Sequence, residues 1–567
     1  MDDFAAGEMY IRSRIPHVSF SPNLHFFISC ELHLFMSAFK HPWWVAFSKL
    51  GNSPRYLDEW LIVSLSDTIR QKPEWEKKYT DPEIVEKWKK EFLSQNPESR
   101  YPEDVFNYVI RELKWYHELQ STPELEARKF RIGADDKILY SDEAVSDVLA
   151  KKFTTLASKF EASISEKDYH PGSDNLVVDL VHPSLYHLVY GKTKVLRDGK
   201  LAVAEFDEAI QHVKKGVADY AVSKKFQWLP AVMKLDKSTG QFVFASYINN
   251  LHPMQHGDLY GPIAEVFNEA VPALNLSLAR YQSDEYVRIK TAGYGECYKE
   301  GYDGYMEKLE ELIDEGADDD EWEEFEKGKS KFYIDTHPEY KSDPETKPFD
   351  LRDFDKLKVI VKMANIELSP ENPEYKGGSW HVEGTINEDI VATVLYYYDV
   401  ENIDDSKLSF KYAFEDPAYE QGDEQYCKDF YGISDGDSMT KYIGSVDARQ
   451  GRVVVFTNSF QHHVDAFKLR DSSRPGHRKI LCFFLVDPHN SVTKATDVVP
   501  PQNETWVNDE ALMNKFFPGI DAKEVTTMTA KQAKESRLEL MDERKVTISS
   551  GDDWENAFTR TFFLCEH

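Results

Sequence analysis

Between residues 355 and 486 the chain supplies one strand-forming segment after another and no long helical stretch. The segments at 356–368, 390–398, 408–414, 452–457 and 478–486 are rich in Val, Ile, Phe and Tyr. Such side chains fit a pleated, half-buried surface, and turn-prone residues punctuate the gaps between them. Several strands in succession without long helices predict a sandwich or jelly roll.

The flanking regions read differently. Segments 57–72, 81–94, 104–119 and 142–160 carry apolar residues at three- and four-residue steps. In the third, Phe106, Val109, Ile110, Leu113 and Tyr116 share one helix face. Asp81, Asp104 and Asp142 suit helix starts. Segments 206–225 and 258–281 also look helical, and 226–251 contains a strand. After Pro500 and Pro501 a C-terminal helix is expected near Thr529, where Thr529 and Gln532 fit a capping box. Twelve of the twenty residues at 307–326 are Asp or Glu, which reads as a solvated linker or surface helix rather than a metal site. The expected class is α+β. It comprises an N-terminal extension at 1–54, a large, mainly helical N-terminal region at 55–225 and a mixed strand and helix segment at 226–350. A double-stranded β-helix (jelly-roll) core at 351–500 and a C-terminal helical extension at 501–567 complete it.

The sharpest motif lies inside the β-rich part, Gly377-Gly-Ser-Trp-His-Val-Glu-Gly384. His381 and Glu383 are two apart, so on a strand they point to the same face. Phe460-Gln-His-His-Val464 offers a third ligand, with His462 and His463 both candidates that face opposite ways. Two imidazoles and one carboxylate on one face of a metal leave three positions open. That is the donor set of non-haem Fe(II) oxygenases, whose open positions take 2-oxoglutarate and O2.

A cosubstrate with two carboxylates needs a cation at its far end. Arg478 opens the 478–486 strand and shares a face with Ile480, Cys482 and Phe484. Its guanidinium can grip a carboxylate through two parallel hydrogen bonds. Asn365 and Tyr397 are the further candidates for contact with the cosubstrate. Asn365 equally reads as an Asn paired with backbone, and Tyr397 as core packing. Lys362 lies on the face opposite Asn365 by strand parity and is the weaker candidate. Trp380 packs outward. His170 and His182 each precede a proline and read as turn-ordering residues that could line the substrate entrance. Pro253, between His252 and His256, makes that pair a turn rather than a ligand pair.

The order of His-x-Glu, distal His and strand-opening Arg resembles the Fe(II)/2-oxoglutarate-dependent oxygenase superfamily. Glu stands where Asp is commoner, as in demethylases of the Jumonji type. Longer stretches resemble a fungal family of uncharacterised proteins, a domain-of-unknown-function family, from about residue 55 onward. They include HPGSD at 170–174, DLVHPSLYHLVYGKTKV at 179–195, SYINNLHP at 246–253 and PGHRKILCFFLVDP at 475–488, together with the stretch at 364–403 that holds the motif. The resemblance implies that the distal ligand directly follows Gln461, which selects His462. It also implies an oxygenase that hydroxylates or demethylates an unidentified small-molecule or protein substrate, consuming O2 and releasing succinate and CO2. A zinc-dependent hydrolase uses the same donor types, and a non-catalytic β-barrel binding module would keep the same fold. Against the hydrolase, the chain has no helical His-Glu-x-x-His motif, and Arg478 would have no task in it.

Charge and cysteines narrow the setting. A formal net charge of −31 repels nucleic-acid phosphates and anionic membranes, so neither is an expected partner. Five widely spaced Cys form neither a disulfide framework nor a zinc ribbon, which fits a reducing compartment. The apolar stretch at 25–47 contains Glu31, Lys40 and Pro42, and reads as an amphipathic piece rather than a membrane span or signal peptide. An intracellular protein, cytoplasmic or nuclear, is expected. No feature of the sequence speaks to its oligomeric state.

Overall fold

The computed structural model describes Phe39 and residues 52–564, apart from 98, 207–220, 284, 294, 317, 319–323, 326, 339–343, 345, 421–422 and 550–559. The amphipathic piece expected at 25–47, Phe39 excepted, lies outside the described residues. So do most of the helix expected at 206–225 and part of the acidic run.

The chain is a mixed helix and sheet protein with antiparallel sheets. The longer helices include α1 (Leu57–Arg70), α2 (Pro82–Gln95), α3 (Pro102–Gln120), α4 (Asp147–Ser163), α5 (Gly257–Gln282) and α6 (Ala530–Ser549). Their starts follow from local chemistry. The Asp81 carboxylate accepts from the Glu83 and Ile84 amides, and Pro82 occupies the first helical position, where its missing N–H costs nothing. α6 opens on the expected capping box. The Thr529 amide donates to Gln532 Oε1 at 2.9 Å, and the Gln532 amide to Thr529 Oγ1 at 3.2 Å. α4 starts later than its apolar spacing suggests. Ser146, not Asp142, caps it by accepting from the Leu149 amide. Asp142 instead takes two hydrogen bonds from the Arg452 guanidinium at 2.6 and 2.7 Å, and Ile138–Ser141 just before it is a strand.

The strands of the two sheets that build the site are β1 (Arg131–Ile132), β2 (Ile138–Ser141), β3 (Val177–Val181), β4 (Ala231–Asp236), β5 (Gln241–Phe244), β6 (Lys356–Leu368), β7 (Ile390–Glu401), β8 (Lys407–Ala413), β9 (Thr440–Asp447), β10 (Val453–Thr457), β11 (Gln461–Val464) and β12 (Gly476–Val486). Among the described residues the large sheet runs β1-β2-β10-β7-β12-β6-β4-β5, with β3 also paired to β6. A second sheet runs β9-β8-β11. A single bridge between His381 and His462 ties the motif loop to β11.

Strand parity divides the large sheet into two faces. On one face α5 and α4 cover the sheet. Phe267 of α5 meets Phe483 of β12 with ring centroids 5.4 Å apart, and Phe153 of α4 meets Tyr398 of β7 at 5.0 Å. Burying each such ring contributes roughly 2–3 kcal/mol. On the other face Arg478, Ile480, Cys482 and Phe484 of β12 line a cavity with Tyr397 of β7 and Lys362, Ala364 and Ile366 of β6. Among the described residues no helix is long and apolar enough to cross a membrane.

Candidate metal centre

The motif loop is not the regular strand that its spacing predicts. Gly377 adopts a positive φ of 94°, and a Cβ there would lie 3.0 Å from the Val464 carbonyl oxygen. Gly384 adopts φ 70°, where a Cβ would come within 2.8 Å of Ile390 Cδ1. Both positions need glycine because L side chains rarely take that backbone region. Between them one pair of hydrogen bonds fixes the register. The His381 amide donates to the His462 carbonyl at 3.1 Å, and the His462 amide to the His381 carbonyl at 2.9 Å.

Three donor atoms converge from this pairing. His381 Nε2 lies 3.6 Å and His462 Nε2 3.5 Å from Glu383 Oε1. Metal–ligand bonds of about 2.1 Å place adjacent donors roughly 3.0–3.4 Å apart, so a metal ion needs only a small contraction of this set. The imidazole of His381 is already oriented for the task. Its Nδ1–H donates to the Ser379 carbonyl at 2.8 Å, which leaves the Nε2 lone pair facing Glu383. The electrostatics agree. Burial disfavours the Glu383 carboxylate, but the two imidazoles beside it outweigh burial and hold it well below the usual carboxylate range. Burial works against a charged His381 as well, yet its bond to Glu383 wins and raises its pKa. His462 is pushed down, by burial first and then by His381. His463 points elsewhere. It pairs with Asp465 at 2.9 Å and lies against Trp380 with ring centroids 4.0 Å apart.

Asn458, which sequence reasoning did not single out, holds the carboxylate's backbone. It accepts from the Glu383 amide at 2.8 Å and donates to the Glu383 carbonyl at 2.9 Å and to the Ile390 carbonyl at 3.0 Å. The only cue in the sequence was a Thr-Asn-Ser turn just ahead of the distal His. Buried Glu388 braces the same loop, accepting from the Trp228 and Thr385 amides and from Arg544.

The triad opens into a cavity of about 450 Å³ that also contains Arg478 and Tyr397. That volume lies in the ordinary range for small-molecule sites. A cavity of about 560 Å³ elsewhere, beside α1, is lined by Trp60, Asp67, Arg100 and Tyr442 and, among the described residues, has no cluster of metal-ligating side chains. The smaller cavity is therefore the candidate site. Arg478 is 2% exposed. It donates to Ser406 Oγ at 3.1 Å and lies over the rings of Tyr397 and Phe467, but its Nε has no hydrogen-bond partner. Among the described residues no carboxylate lies within ion-pair distance of it. A buried guanidinium with no counter-ion costs several kcal/mol, and an anionic ligand removes that cost.

One expected cosubstrate contact is corrected. Asn365 is fully buried on the helix-covered face, where it accepts from the Tyr398 hydroxyl at 3.3 Å, so it does not line the cavity. Lys362, on the opposite parity, does. A second cluster was also unforeseen. His170, Asp179 and His182 bring ligand atoms within 4.8 Å of one another, and both imidazoles line the same cavity.

Residues 103–510 match a family model described as "Protein of unknown function (DUF4246)", and residues 29–91 match the "Domain of unknown function DUF4246, N-terminal". No curated protein matches the chain. Among solved structures, similarity is recorded to a bsmA homolog from Methylobium petroleophilum PM1, at 9% identity over 24% of this chain and 42% of that one, with a TM-score of 0.16. IDO from Bacillus thuringiensis is 11% identical over 24% of this chain and 51% of its own, with a TM-score of 0.16. The chain thus spans less than two thirds of the length of either protein. A third structure, "Fe(II)/(alpha)ketoglutarate-dependent dioxygenase TqaL", is 11% identical over 62% of this chain and 95% of its own, with a TM-score of 0.23. Likenesses of this size fix neither fold nor chemistry.

Proposed function

The chain belongs to the DUF4246 family, which brings no reaction with it, and we propose that it is an Fe(II)- and 2-oxoglutarate-dependent oxygenase. One observation carries the reading. Three donors from two separate segments meet on one side of a cavity whose other wall presents a buried Arg with no counter-ion. His381, Glu383 and His462 would hold Fe(II), leaving its remaining positions toward the cavity. Arg478 would hold the distal carboxylate of 2-oxoglutarate, with Tyr397 packed beside the guanidinium.

The strand order supports a double-stranded β-helix over residues 351–500. β6-β12-β7-β10 form one wall, and the motif loop with β11-β8-β9 forms the other. Fe(II) and 2-oxoglutarate bound there would supply oxidative decarboxylation to succinate and CO2, coupled to hydroxylation or demethylation of the substrate. The chain's own residues do the rest. Asn458 and the Ser379 carbonyl fix the ligands' orientation. Leu540 and Met541 of α6, with Trp228, wall the cavity and limit water.

A zinc hydrolase would use the same three donors, but it gives the buried Arg478 nothing to bind. The test is succinate formation and O2 consumption by protein loaded with Fe(II) and supplied with 2-oxoglutarate. Turnover that His381→Ala abolishes is expected. Tight zinc binding with no succinate under any condition overturns the reading.

A further inference from the structure

The chain carries a net charge of −31, yet its candidate cavity is cationic. Among the described residues the lining includes Lys362, Arg478, Arg544 and Lys545 against a single carboxylate, Glu383. Most of these charges have a partner. Glu383 faces the two imidazoles. Arg544 is bound to Glu388 at 2.8 Å and lies 3.9 Å over the Trp228 ring. Lys545 pairs with Asp542 at 3.8 Å. Arg478 is taken by the cosubstrate in the reading above. Lys362 alone is left over, because no described residue forms a hydrogen bond or ion pair with its ammonium.

Register places Lys362 away from Arg478. Lys362 sits opposite Cys482, whereas Arg478 sits opposite Ile366. Four residues of strand separate the two positions, about 13 Å. Lys362 lies instead where β6 meets the end of β3, with Met363 opposite Val181. Its charge acts on His182, Asp179 and His381. Antiparallel register thus sets Lys362 beside His182, on the lining of the cavity that both clusters share.

The second cluster is set up as a donor wall. His182 Nδ1 accepts from the Ser184 amide at 3.2 Å, which puts the proton of the neutral ring on Nε2. Burial keeps that ring neutral by pushing its pKa down to about 3. Asp179 is committed through Oδ2, while its buried Oδ1 has no hydrogen-bond partner. His170 Nδ1 lies 2.9 Å from its Oδ2, and Arg537 lies 3.4 Å from the same oxygen while gripping Asp168 through both nitrogens. Arg537, Lys534 and Lys362 against Asp168 and Asp179 leave this cluster net positive, which disfavours a dication and favours an anion beside Lys362.

We propose that the cavity's substrate is a small carboxylic acid whose carboxylate sits between the Lys362 ammonium and the Nε2–H of His182, with its apolar part against Trp228, Phe484 and Leu540. One ammonium and one neutral N–H match a single negative charge. The proposal rests on the oxygenase reading for what happens to this acid, but the acid site itself is read separately.

The test uses full-length protein loaded with Mn(II) and saturated with 2-oxoglutarate, so that Arg478 is occupied. Thermal shift and calorimetric titration compare phenylacetate, indole-3-acetate and octanoate with their primary amides. At least one acid is expected to bind about tenfold or more tighter than its amide, the worth of one charge-assisted contact. Lys362→Gln should erase that preference, Lys362→Arg should keep it, and 2-oxoglutarate affinity should stay within about twofold in both. Equal binding of acids and amides, or no binding of any acid, overturns the proposal. A loss of 2-oxoglutarate affinity in Lys362→Gln with the acid preference intact also overturns it, because Lys362 would then serve the cosubstrate. A second equivalent of Mn(II) that disappears in His182→Gln overturns it in favour of a second metal site. If wild-type protein binds no 2-oxoglutarate, the oxygenase reading falls, and the comparison of acid with amide on metal-free protein still decides the acid site.

Discussion

Two clusters in one cavity have the same composition, two His and one carboxylate, and opposite surroundings. At His381, Glu383 and His462, no described Lys or Arg pairs with the carboxylate. At His170, Asp179 and His182, a buried Arg537 is already within 3.4 Å of the carboxylate, and Lys362 adds a second positive charge nearby. On the proposed reading, donor identity alone does not make a metal site. What decides is whether the negative charge is left for the metal or already neutralised by the protein.

The largest expected effect separates the two directly. His381→Ala or Glu383→Ala should remove bound metal altogether, while His170→Ala or His182→Ala should leave about one metal per chain. Metal content after anaerobic Fe(II) loading reads both. Equal loss from the two clusters would break the contrast.

Next in size is a stability effect confined to the second cluster. Arg537→Met takes the guanidinium from Asp168 and Asp179, leaving Lys534 on Asp168 and His170 on Asp179, whose side chain is fully buried. Removing one partner of a buried pair costs about 3–5 kcal/mol, which denaturant unfolding would register. Metal affinity should be unaffected. A neutral outcome would mean that the Arg537 charge is not what fills the cluster.

Asn458→Ala should act on the first cluster alone. It frees the Glu383 backbone, and loss of such supporting hydrogen bonds typically lowers metal affinity about 10–100-fold. Competition with a metal chelator measures it.

The smallest expected effect is acid sensitivity. Burial lowers the pKa of His182 to about 3 and that of His187 to about 4. In the unfolded chain both titrate near the ordinary value of 6.5. Below pH 6.5 the unfolded state therefore binds more protons, so stability is full above that pH and is lost progressively as pH falls toward 4. The melting temperature at pH 7 and at pH 5 should differ more in wild type than in His182→Gln.

Much of this was legible in the sequence, and the misses have physical causes. β6 was readable to the residue, and β7, β10 and β12 nearly so, because Val, Ile, Phe and Tyr fill both faces of strands that are covered on both sides. The triad was readable because residues two apart share a face even when only one bridge keeps the local register. Asn365 failed because parity gives relative faces only. Which face was the cavity depended on α4 and α5 packing behind the sheet, and that packing also put Lys362 where Asn365 was expected. β9 was missed because its residues are mostly half-buried at a sheet edge, around Gly444. The sequence left His170 and His182 open as entrance-lining residues, and both line the cavity, but their grouping with Asp179 was not legible because Asp179 meets His170 and the distant Arg537 only in the fold.

The most direct measurement is the visible spectrum of anaerobic protein loaded with Fe(II) as 2-oxoglutarate is added. Chelation of the keto acid should produce a weak charge-transfer band that is absent in His381→Ala and needs far more 2-oxoglutarate in Arg478→Ala. Metal-loaded protein that gives no band at any 2-oxoglutarate concentration would contradict an iron site built from residues 381, 383 and 462.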